Sequence, residues 1–321
     1  MSEPRTDNID PLVAVGLVTE VEGGEPVAPP PVRKRRRLPK IGLLFGVIWL
    51  AALVLLAVFA DVVPFIVDPN ERFEGAGNFG ARPGSAFWFG SDQLGRDVFS
   101  RCIYGAQISL RVAFSSIVVG LLIGGVLGLV SGYFRGWMDR VISIVIDILL
   151  AFPVLVISIL IVGRFDVLAR DNSAFNWLTR TWSITFVLAL LSIAPIARIV
   201  RAQTLSISQR EFVLAARSLG AKNGRILVRE VLPNLIPAMT SVVFTGVALL
   251  LVAEGGLAFL GYSVKPPSPS WGLMVAENRP RIEQAWWPTI FPCIMFFVTV
   301  LAFNLIGDRV ARRFDIREAA L

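Results

Sequence analysis

Six apolar runs limit what this chain can fold into: residues 41–63, 108–132, 141–163, 183–203, 236–260 and 287–307. A bilayer core of roughly 30 Å takes about 20 apolar residues in helical form, so each run is long enough to cross one. No water reaches backbone N–H and C=O groups at that depth, and a helix satisfies them internally. The class expected is an all-α polytopic membrane protein with six transmembrane helices. A chain of 321 residues that is 55% hydrophobic and 17% charged fits that class and not a soluble domain.

The basic residues set the direction of threading. With the N-terminus in the cytoplasm, the inner segments (33–40, 133–140, 198–235 and 308–321) hold 19 lysines and arginines. The outer segments (64–107, 164–182 and 262–286), with the outer edge of the second run, hold 11. Positively charged residues are retained on the cytoplasmic side, so both termini are expected there. The net charge of +7 thus follows membrane edges instead of one basic face, which argues against a nucleic-acid binder. Within this frame, residues 1–40 form an acidic, Pro-rich leader expected to be disordered, closed by a basic anchor. The first span is 41–63, and 64–107 is extracytoplasmic. The core of the membrane domain is 108–307, and 308–321 is a cytoplasmic tail.

Several classes of chemistry drop out. The chain has no histidine, which removes His general-base catalysis and His-ligated metals. Cys102 and Cys293 form no metal or redox motif and read as buried small hydrophobes. No nucleophile–base constellation supports a membrane-embedded enzyme. A stand-alone channel or secondary transporter would explain six spans, but no pair of inverted, interrupted halves is evident.

Three features inside the spans stand out. Gly120, Gly124, Gly128 and Gly132 recur every fourth residue, a pattern that lets another helix approach closely. Four residues turn a helix through about 400°, so the stripe drifts about 40° per step. Contact over two or three glycines is expected, without a straight seam. Asp147 and Glu254 are acids within the third and fifth spans, with no basic partner one turn away. They either line a water-filled path or are satisfied by neighbouring helices. Asp61 reads as the wetted outer end of the first span. In the outer segment, Asp97 and Arg101 stand at i,i+4, the spacing of a pair that braces an interfacial helix.

Between the fourth and fifth spans lies a charged piece, "REFVLAARSLGAKNGRILVREVLPN" (210–234). Ser208 and Glu211 have the spacing of a capping box. Phe212, Ala215, Ala216 and Leu219 then recur on one helical face, and Gly220 suits the left-handed position that ends a helix. A second amphipathic helix carries Ile226, Leu227 and Val231, and Pro233 is expected to stop it before the next span. The result is a helix–Gly–helix elbow within 205–235. Either it lies on the inner leaflet, or its small-residue ridge fits a groove in a rigid partner.

The stretch 211–234 resembles the EAA coupling motif of ABC importer permeases, matching at Glu211, Ala215, Ala216, Gly220, Leu232 and Pro233. Glu230 stands where relatives often carry His. "FGSDQLGRDVFSR" (89–101), "DILLAFP" (147–153), "LAFLGYSVKPPSPSWG" (257–272) and "FNLIGD" (303–308) are similar to the C-type permease subunit of dipeptide and oligopeptide importers. The resemblance covers about residues 40–321. It implies the type I importer permease fold and a heterodimer with a B-type permease that encloses a translocation path. It also implies two ATP-binding subunits whose grooves receive the elbow, and an extracytoplasmic substrate-binding protein near the Pro-rich 263–272 segment. No cofactor or metal is expected on this chain. ATP and Mg would bind the partner subunits, and the sequence contains no G-x-x-x-x-G-K-[ST] phosphate loop. Cargo related to peptides, namely nickel complexes, glutathione or haem, falls to permeases of the same type.

Overall fold

The computed structural model describes residues 40–73, 80–171 and 179–318; the leader expected to be disordered (1–39) lies outside them. Ten α-helices follow in order: α1 Lys40–Val58, α2 Val98–Phe134, α3 Gly136–Ala151, α4 Val154–Asp171, α5 Arg180–Ile207, α6 Glu211–Ser218, α7 Asn223–Ile226, α8 Leu232–Phe259, α9 Trp271–Asn278 and α10 Trp287–Glu318. A π-helical turn, Leu227–Val231, joins α7 to α8. No strand occurs among the described residues.

Five of these pieces are long and apolar enough to cross a membrane: α1, α2, α5, α7 through α8, and α10. The run expected as the third span is instead two helices, α3 and α4, bent by 87°. Pro153 sits at the break, with Phe152 before it in extended backbone (φ −87°, ψ 135°), the conformation a following proline imposes.

Close approaches between helices fix their relative directions. Along α2, a methyl group on Gly124 would lie 2.6 Å from Ile193 O, on Gly128 2.6 Å from Ala197 O, and on Gly132 2.7 Å from Arg201 O. Both sequences rise together, so α2 and α5 run parallel. α8 runs against α2, since Ser109 meets Glu254 while Gly125 meets Met239. α4 runs with α8, pairing Leu155 with Gly256 and Gly163 with Tyr262. α10 opposes α8 through Gly307 beside Phe244 and Phe296 beside Gly255, and α1 opposes α10 through Gly42 beside Leu305 and Gly46 beside Ala302. Directions therefore alternate along the chain. The bent α3–α4 pair returns the chain once, as a sixth pass, and the start of α1, the elbow and the end of α10 share one end of the bundle.

The glycine seam is longer than its drift suggests. All four glycines face α5, because each four-residue step on α2 meets a four-residue step on α5 (Ile193, Ala197, Arg201). A partner stripe that drifts in step lets two helices wind about each other and keep contact. The glycines therefore serve packing within this chain. Burial follows the same plan: 67% of the apolar stretch of α5 is enclosed, against 17% of that of α1, so α5 is the axis and α1 the periphery. Large side chains such as Leu122, Leu160, Leu249 and Phe297 point outward, as lipid or a partner subunit requires.

Candidate coupling elbow and translocation surface

The elbow begins where α5 ends. Ser208 stays helical and donates its hydroxyl back to Leu205 O (3.0 Å), so no capping box with Glu211 forms. α6 starts from extended Arg210, whose carbonyl accepts from Val213 N (3.0 Å) and Leu214 N (3.2 Å). Gly220 holds φ +79°, the left-handed value expected of it. Around it Ala221 N donates to Ala216 O (3.1 Å) and Gly220 N to Arg217 O (3.0 Å), the paired bonds of a Schellman motif.

Pro233 does not stop the second helix. Helix is continuous from Asn223 to Phe259, with the π turn just before Pro233 and with Pro237 inside α8. Leu232 N–H donates five residues back to Leu227 O, and Asn234 Nδ2 donates to Glu230 O (2.6 Å). The wider turn leads the helix into Pro233, and the Asn234 amide serves a carbonyl beside it. The elbow is thus built rigidly onto the following span.

The ridge differs from its sequence pattern. Val213, Ile226 and Val231 are fully buried and Ala216 is half-buried against them. Phe212, Ala215 and Leu219 face outward, with Leu219 88% exposed. Glu211 is exposed in the first turn of α6, where a carboxylate suits the helix dipole. Tyr133, which the sequence reading did not single out, ties the elbow to the end of α2. Its hydroxyl donates to Asn223 Oδ1 (3.0 Å), and Arg217 donates to it (3.4 Å) with its guanidinium 5.7 Å from the ring centroid.

The two acids in the spans have different surroundings. Glu254 is fully buried and accepts from three hydroxyls: Ser263 (2.5 Å), Ser270 (2.9 Å) and Ser109 (3.3 Å). It pins the Pro-rich segment and α9 onto α2 and α8, and it faces no open surface here. Asp147 is exposed on α3 and pairs with Arg198 of α5 (2.5 Å), a partner 51 positions away that local spacing does not reveal. Nearby, Asp139 and Arg201 make a two-pronged pair (2.5 and 2.8 Å) between the same helices. Neither acid lines the largely apolar cavity of about 440 Å³ between α2, α4, α5 and α8.

At the opposite end, Asp97 and Arg101 do not brace each other with their side chains. Asp97 caps α2 by accepting from Ser100 N (2.7 Å), which starts the helix ten residues before its apolar run. Arg101 is buried and turns to Glu277 (3.5 Å), Asp92 (3.8 Å) and the carbonyl of Pro69 (3.1 Å). Trp271 Nε1 donates to Cys102 O (2.9 Å) and Trp287 Nε1 to Ser91 O (3.0 Å). Residues 91–102 thus interlock with α9 and the start of α10 as one polar cap. Cys102 and Cys293 are both free thiols.

Six alternating passes, a rigid elbow at one end and a locked cap at the other define a transport permease. The model of the binding-protein-dependent transport system inner membrane component family matches residues 124–317. A dipeptide transport system permease protein, DppC, from Alkalihalophilus pseudofirmus is 32% identical over 286 residues, covering 88% of this chain and 86% of that one. A glutathione transport system permease protein, GsiD, from Pectobacterium atrosepticum is 37% identical over 233 residues, 73% of each chain. The fold matches a permease chain in an inward-facing structure of the MetNI methionine ABC transporter, with TM-score 0.55 and 18% identity over 65% of this chain and 94% of that one. The chain belongs to the binding-protein-dependent inner membrane component family: it is a multi-pass permease of a bacterial ABC importer, seated in the inner membrane. Such permeases work alongside further permease, ATPase and binding-protein components.

Proposed function

We propose that this chain pairs with a B-type permease to form the path for small peptides, and that its elbow couples the path to two ATP-binding subunits. The observation that carries the reading is the outward ridge Phe212–Ala215–Leu219, held by the Gly220 motif and made continuous with α8. A rigid-body push on the ridge then moves a whole span, which is how a groove-bound helix transmits nucleotide-driven motion. Glu211, Ala216, Leu232 and Pro233 serve the same unit: Ala216 seats α6, and Leu232 and Pro233 fuse it to the span.

The elbow end of the bundle faces the cytoplasm in this reading, together with both chain termini. Arg135, Arg140, Arg210, Arg217, Lys222, Arg225 and Arg229 cluster there, as cytoplasmic retention of positive charge requires. ATP and Mg belong to the partner subunits, and the substrate-binding protein docks on the polar cap. Peptides are the favoured cargo because relatives named for dipeptide and for glutathione, itself a small peptide, match along most of the chain.

Reconstitution tests this. The complete transporter in proteoliposomes should take up labelled dialanine or glutathione only with ATP inside reach of the ATPase subunits. Gly220→Val should abolish uptake while the complex still inserts. A Cβ at Gly220 meets nothing within 4 Å, so the cost is backbone strain of roughly 1–2 kcal/mol at the joint. Full uptake by that variant would remove the coupling role.

A further inference from the structure

The segment joining α1 to α2 surrounds a cavity of about 300 Å³, at the end of the bundle opposite the elbow. Two groups of aromatic rings line it. Phe65, Trp88 and Phe99 have ring centroids within 6.4 Å of one another, and Phe73 meets Phe87 edge-on at 5.2 Å. Behind this lining Phe89 braces Phe99 (5.1 Å) and stacks on Phe291 of α10 (4.2 Å), so a membrane pass backs the wall. Phe65 and Trp88 are each about half exposed, which leaves the rim open.

Among the described residues one charged side chain lines this cavity, Asp97, and it is only 8% exposed. Its Oδ2 accepts from Ser100 N, and no cation pairs with it among the described residues. The arginines beside it in sequence, Arg96 and Arg101, are engaged by Asp92 and Glu277, two cations against two anions. The start of α2 offers Asp97 the positive end of a helix dipole, worth roughly half a charge, so a negative surplus remains. Buried charges are ordinarily paired in full. Capping alone does not require this residue, because a neutral Ser or Asn caps a helix as well as Asp. An aromatic belt at the membrane edge would account for the exposed rings, but not for a buried carboxylate among them.

The lining selects for one kind of charge. Aromatic faces are negative and attract a cation, and a carboxylate at the same cavity adds to that attraction. An anion would be repelled by both. We propose that this cavity is a binding site for an organic ammonium group, held by the Asp97 carboxylate and the surrounding rings. It stands apart from the elbow and from the cavity between α2, α4, α5 and α8, and it does not depend on the peptide reading. Two sources present the same group: a soluble amine and the headgroup of an aminophospholipid. Phe65 follows closely on the end of α1 at Val58, which brings the rim to the level where a span leaves the bilayer.

The test uses the complete permease–ATPase complex in nanodiscs of phosphatidylglycerol, a lipid without an amine. The probes are choline and dimethylbutanol, its uncharged carbon isostere, each titrated by saturation-transfer NMR. Choline should bind about tenfold more tightly than the isostere, the order of a desolvated cation–π contact. Trp88→Leu and Asp97→Asn should each weaken choline by about the same factor. Asp97→Asn keeps a capping side chain, so the thermal unfolding temperature of the complex should not move. Equal affinity for the two probes, no binding of choline, or unaltered choline affinity in either variant would overturn the assignment. Repeating the titration with an equal part of phosphatidylethanolamine identifies the source. A weaker apparent affinity for choline supports the site as one filled by the lipid headgroup, and an unchanged affinity supports it as one for soluble amines.

Discussion

Gly124 and Gly128 have no room for a side chain, because the atoms they would meet belong to the α5 backbone at 2.6 Å and cannot rotate away. Gly128→Val should lower the stability of the purified complex by about 3 kcal/mol, read as a clear fall in its thermal unfolding temperature. Gly224→Ala is the control: nothing lies within 4 Å of its Cβ position, and unfolding should be unchanged or slightly later. Glu254 permits an equally sharp contrast. Glu254→Gln keeps partners for its serines and should cost little. Glu254→Leu orphans three buried hydroxyl contacts and should cost on the order of 3 kcal/mol in the same assay. These roles were only partly legible beforehand. The glycine stripe was visible, since i+4 spacing is a local property of the chain. That Glu254 meets Ser109 and Asp147 meets Arg198 was not, because neither separation, 145 or 51 positions, leaves a periodic trace.

At the scale of elements, the elbow was readable in outline and misread in two joints. Gly220 announced its left-handed turn because few residues tolerate one. Ser208 failed as a cap because α5 ran on through it, and Pro233 failed as a stop because a π turn leads the helix into it. Local propensity yields in both places to continuity with the neighbouring span. The same continuity gives Tyr133 its weight, as it joins the end of α2 to the elbow through Asn223 and Arg217. Tyr133→Phe should remove about 1 kcal/mol from that joint and raise the ATP hydrolysed per peptide imported, with assembly intact. A ratio equal to that of the unaltered complex would limit Tyr133 to packing. Hydropathy does not disclose the 87° bend between α3 and α4, because it records how apolar a run is and not its direction; Pro153 is the one local sign of a break.

For the whole molecule, six alternating passes place the elbow opposite one polar cap, built by Asp92, Arg101, Glu277, Trp271 and Trp287. Motion imposed at the elbow has a direct route along α8 to Glu254 and from there to the Pro-rich segment, through contacts that are all present in this chain. If the elbow serves ATPase partners, extraction of the chain from its own membranes in mild detergent should bring them with it. Mass spectrometry should then find a second permease and ATP-binding chains in the same particle, and ATPase chains should be lost when Leu219 and Phe212 are both replaced by Glu. A chain recovered alone that carries solute into liposomes without ATP would contradict that role, and the ridge would then be a face that rests on the lipid surface.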